Sequence, residues 1–63
     1  MTYQLIHVNT DNAMFVTFFD ESEKQKAWDC YDFIKMQKYV VSAMLIAVDA
    51  LDCRGTILKS HKA

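Results

Sequence analysis

The chain has 63 residues, 52% of them hydrophobic and 13% aromatic, with one glycine, no proline and a net charge of −1. That length bounds it to one small domain, residues 1–63, near the lower size limit for folding without disulfides or a metal. Seven basic against eight acidic residues argue against sequence-independent nucleic-acid binding, which needs a dense basic footprint.

The opening "MTYQLIHVNT" has no basic region and no long apolar core, so a signal peptide is not expected. Residues 3–8, "YQLIHV", are rich in β-branched and aromatic types and predict a strand. The turn formers "NTDNA" follow, and then "MFVTFF", residues 14–19, alternates Met14, Val16 and Phe18 with Phe15, Thr17 and Phe19. The two runs predict a β-hairpin.

"DESEKQKAWDCYDFIK" predicts a helix. Asp20 is its cap, Glu23 stands three residues on as in a capping box, and Asp20, Glu21 and Glu23 suit the positive end of the macrodipole. At helical spacing Ala27, Cys30, Tyr31 and Ile34 form the core-facing stripe, with Trp28 and Phe33 flanking it. The opposite side collects Glu21, Gln25, Asp29, Asp32 and Met36.

Residues 39–52 admit two readings. Ala43, Met44, Leu45, Ala47, Ala50 and Leu51 suit a helix that Ser42 would cap, whereas Tyr39, Val40, Val41, Ile46 and Val48 suit a strand. "DCRG" next to "TILKS" favours the strand, with Gly55 supplying a positive φ to a short hairpin loop. Residues 40–51 are therefore expected as a long strand, bent or bulged near Asp49, and residues 56–60 as its partner. "KSHKA" then reads as a solvated tail. The fold class is α+β, ββαββ: an antiparallel sheet of about four strands with one helix on one face.

Such a sheet leaves its second face open. Leu45 and Val41 on one side, and Val40, Met44, Ile46 and Val48 on the other, cannot all meet a single helix. Some of Trp28, Phe15, Phe33, Met36 and Met44 must also reach the surface of so small a molecule. A partner or self-association surface is the expected consequence.

Catalytic chemistry finds little to build on. His7, Cys30, Cys53 and His61 lack the short paired spacing of zinc sites, so neither metal nor cofactor is expected. Cys30 sits between Asp29 and Asp32, a poor setting for a thiolate, and the two cysteines read as free thiols of a cytoplasmic protein. No nucleophile–base order, paired catalytic carboxylates or glycine-rich phosphate loop occurs, and the chain is expected not to be an enzyme. The longest apolar run, "VVSAMLIAV", is too short to span a bilayer.

The outer helix side offers the candidate binding residues Glu21, Gln25, Trp28, Asp29, Asp32 and Met36, an acidic stripe with Trp28 as an aromatic anchor. A single compact chain that begins "MTYQLIHVNTDNAMFVTFFDESEKQKAWDCYDFIK" and closes "VDALDCRGTILKS" resembles the small accessory proteins of bacteriophages and mobile elements. The resemblance is one of size and hairpin–helix–hairpin layout. It implies a non-enzymatic protein-binding module, an inhibitor that occludes a larger host protein or complex in the cytoplasm, as anti-CRISPR proteins and antitoxin-like nuclease inhibitors do. A homodimeric structural module and a weak nucleic-acid binder through Arg54, Lys59 and Lys62 are the alternatives.

Overall fold

The structure is a computed structural model that describes residues 1–49 and 51–62. Strands β1 (Thr2–Asn9) and β2 (Met14–Phe19) are followed by a 3-10 turn (Glu21–Glu23), helix α1 (Lys24–Lys35), and strands β3 (Val40–Val48) and β4 (Gly55–Lys62). All neighbours are antiparallel and the order across the sheet is β2-β1-β3-β4. The fold is thus α+β, in the order ββαββ.

The first hairpin closes as its residue types dictate. Asn12 takes the left-handed conformation, φ 65°, and the Asp11 carboxylate accepts from the Ala13 N–H at 3.3 Å. Both are habits of short polar side chains in turns. Strand β1 then pairs Tyr3 with Phe19 and Leu5 with Thr17 on one side, and Leu45 and Ala47 of β3 face the same way.

The capping box of Asp20 and Glu23 forms. The Asp20 N–H donates to Glu23 Oε1 at 3.0 Å. This bond holds the Glu23 carboxyl below its usual range; desolvation opposes it, and Lys26 adds to the lowering. Beyond the cap, α1 turns Ala27 and Tyr31 onto the sheet, with Trp28, Cys30 and Ile34 packed beside them. Leu5 and Leu45 are almost wholly buried at the centre, with Tyr3, Phe19, Val40, Ala43 and Ala47 around them. Burying each leucine contributes about 1.5–3 kcal/mol.

Several sequence expectations are corrected here. Strand β3 ends at Val48, not at Leu51, and Ala50 of the expected strand lies outside the described residues. The turn after β3 is wider than "DCRG". Asp49 N–H donates to the Arg54 carbonyl at 3.0 Å, and Cys53 N–H to the Asp49 carbonyl at 2.9 Å. The left-handed residue is Cys53, φ 57°, and Gly55 has no positive φ. Gly55 instead opens β4 opposite Val48. A Cβ there would stand 3.1 Å from Ile46 Cγ2, so the glycine answers a close approach rather than a turn.

The bulges also lie elsewhere than at Asp49. One falls where β1 and β3 shift register between Val8 and Asn9, leaving Val41 without a partner on β1. It turns Val40, expected with Met44 and Ile46, to the opposite side, where it is buried in the core. The second leaves Leu58 unpaired between Lys59 and Ile57. Strand β4 continues through Lys62, so "KSHK" belongs to the sheet and is no tail; Ala63 lies outside the described residues.

Candidate functional site

Helix α1 covers one face of the sheet. The opposite face presents Gln4, Ile6 and Val8 from β1, Met14, Val16 and Phe18 from β2, and Ser42, Met44, Ile46 and Val48 from β3. Ile57, Ser60 and Lys62 of β4 complete it, all in register. Phe18 is 71% exposed, Met14 67% and Ile57 59%. A depression of about 390 Å³ lies on this face among Ile6, Val8, Met14, Met44, Ser60 and Lys62. Lys62 is the only charged side chain in the set. The face is wide, apolar and open, as the two-sided hydrophobicity of β3 predicts.

On the helix side, a second depression of about 220 Å³ opens between α1 and β2, with Leu5 and Thr17 below and Phe19, Phe33 and Ile34 around it. Phe33, expected beside the core stripe, is 63% exposed. The reason is geometric: α1 lies mainly over the central strands β1 and β3, so it leaves β2 little covered and its flank on that side stays open.

The six predicted binding residues separate into three settings. Gln25, Asp29, Asp32 and Met36 follow one another at helical spacing along the exposed side of α1. Gln25 Nε2 donates to Asp29 Oδ1 at 3.0 Å, and Asp32 pairs with Lys35 at 3.3 Å. Met36, at the C-cap, is 77% exposed. Glu21 stands apart in the 3-10 turn, where α-helical spacing does not apply, and meets the N-terminal ammonium at 3.6 Å. Trp28 is half-buried, edge-on to Tyr3 at 5.6 Å, with Lys24 Nζ 5.5 Å from its ring. It braces the helix on β1. The stripe therefore carries partly compensated charge, and its exposed apolar member is Met36.

The titratable residues of the remaining readings are dispersed. His7 and His61 both lie opposite Ala43, on the strands flanking β3. Cys30 is on α1 and Cys53 in the turn between β3 and β4. Among the described residues, no group of three or more His, Cys, Asp or Glu side chains converges. His7 stacks on Phe15 at 5.1 Å; its Nδ1 and Asn9 Oδ1 are buried without hydrogen-bond partners among the described residues. Lys59 and Lys62 point to opposite faces of β4, opposite Leu45 and Ser42. Arg54 lies beside Asp52 at 3.9 Å.

Sequence reasoning missed Phe18, Met14 and Ile57 as site residues, although strand alternation marks each as facing away from the helix-side set. Among the described residues, no helix is long and apolar enough to cross a membrane. No protein family, curated protein or solved structure matches this chain.

Proposed function

We propose that this chain is a non-enzymatic protein-binding module that works by occupying the surface of a larger protein. The observation that carries the reading is the open apolar sheet face, with Phe18, Met14 and Ile57 more than half exposed. Four strands about 4.8 Å apart and some seven residues long give a footprint of roughly 450 Å². Patches of about 300–600 Å² on small monomers are often functional. The finer reading is an inhibitor of a host enzyme or defence complex, encoded by a phage or mobile element and acting in the host cytoplasm. The size and layout of the chain support it.

Magnitude favours a larger partner over a second copy. Two such faces packed together bury roughly 1,000 Å², the lower bound for a stable interface, whereas a larger protein reaching past the rim attains the usual 1,600 Å² or so. Homodimerisation is the second reading, favoured by the near absence of charge on the face, which makes it compatible with itself.

The test is affinity capture from a candidate host with three forms of the chain. These are the natural sequence, the pair Phe18→Lys and Ile57→Lys, and the pair Asp32→Lys and Met36→Lys, which line neither depression. A specific host protein is expected with the first and third and lost with the second. If the sheet-face pair retains that protein and the helix pair loses it, the contact lies on α1. Sedimentation equilibrium of the natural chain isolates the second reading: a dimer abolished by Phe18→Lys would establish it.

A further inference from the structure

The two edges of the sheet are built differently. Strand β4 carries Lys59, Lys62 and a bulge at Leu58, devices that discourage pairing with another strand. Strand β2, "MFVTFF", has no charge and no proline, pairs with β1 without a bulge, and exposes five of its six residues. Its outer row of main-chain N–H and C=O groups has no neighbouring strand among the described residues. Alongside it runs the groove of about 220 Å³ between β2 and α1. Phe19, Phe33 and Ile34 make its apolar walls, and Asp29 is its one charged lining residue.

We infer that β2 accepts a fifth strand: an extended segment of a partner protein that is apolar at alternate positions and carries a basic residue. Main-chain hydrogen bonds to β2 would supply affinity, and the side chains on the helix side of the new strand would supply specificity. An apolar side chain meets Phe19, Phe33 and Ile34; a lysine or arginine meets the Asp29 carboxylate, whose Oδ1 already takes the Gln25 amide. The charge of the groove selects this occupant over a second copy. The β2 strand of another molecule has no basic residue between Met14 and Phe19 with which to answer Asp29. The groove and the open face share no lining side chain, so this inference stands apart from what covers that face.

The experiment titrates the full chain into a fluorescein-labelled seven-residue peptide in which leucine alternates with lysine and threonine. Two comparison peptides replace lysine with glutamate, or N-methylate alternate main-chain nitrogens. Saturable binding of the lysine peptide is expected, with at least tenfold weaker binding of each comparison peptide. Asp29→Lys should weaken the lysine peptide about tenfold and strengthen the glutamate one, and Phe33→Lys should weaken both. Asp29 and Phe33 are exposed, so both variants are expected to fold, as circular dichroism would verify. Amide shift changes should fall on residues 14–19 and 29–34. Absent binding, equal affinity for the lysine and glutamate peptides, or shifts centred on Ile6, Met44 and Ile46 would overturn the inference. So would a dimer of the free chain whose β2 amides are already protected from exchange.

Discussion

Leu45 and Gly55 show how single residues hold this sheet in shape. Leu45 has no exposed surface and lies under α1 at the middle of β3, opposite Leu5. Leu45→Ala should cost about 2–5 kcal/mol, because so small a core collapses incompletely around the void. A domain of this size has a total stability of roughly 3–9 kcal/mol, so denaturant unfolding should register a large loss and substantial unfolding at physiological temperature. At Gly55 two effects oppose each other. A side chain would restrict the unfolded chain, but it would press on Ile46 Cγ2, which is already 3.1 Å from where a Cβ would stand. For a branched side chain the clash dominates. Gly55→Val should lower stability by about 1–3 kcal/mol in a chemical-denaturation curve. Reading this glycine as a turn residue failed because the demand on it comes from a side chain on the neighbouring strand. No local sequence window contains that information.

Elements were legible where their signals are local. The Asp20–Glu23 box and the spacing of Ala27, Tyr31 and Ile34 lie within one stretch of chain, and the helix forms where they point. The depressed Glu23 carboxyl gives this start a pH signature. Its ionised form is favoured in the fold, so the contribution is complete above the unfolded value of 4.5. It is lost as pH falls through the lower folded value. An NMR titration should find the Glu23 midpoint below 4.5, with the Asp20 amide signal moving in step. Glu23→Gln should abolish that movement while keeping the helix. The flank of α1 was less legible. Phe33 has the spacing of a core neighbour, yet the position of the helix over β1 and β3 leaves it at the rim of a groove. The side Val40 faces depends on a bulge, which period-two alternation does not encode.

For the whole molecule, the open face follows from a shortage of covering elements. Four strands with apolar residues on both sides and one helix leave one side uncovered, and that much was readable from β3 alone. The residues richest in exposed apolar surface there, Phe18, Met14 and Ile57, became apparent only with the strand order. That order sets β1 beside β3 and brings both hairpins into one sheet. The charges of the acidic stripe are conspicuous in the sequence, yet Asp29 and Asp32 already have polar partners on the helix. Exposed pairs of that kind contribute little by themselves.

If another protein covers the open face, covalent side-chain footprinting of the free chain and of its captured complex will map the cover. Labelling of Met14, Phe18, Met44 and Ile57 should fall severalfold in the complex, while Met36, 77% exposed at the end of α1 on the other side of the sheet, keeps its label. Undiminished labelling of those four side chains in a complex of full occupancy would mean that the partner binds elsewhere and the face stays bare.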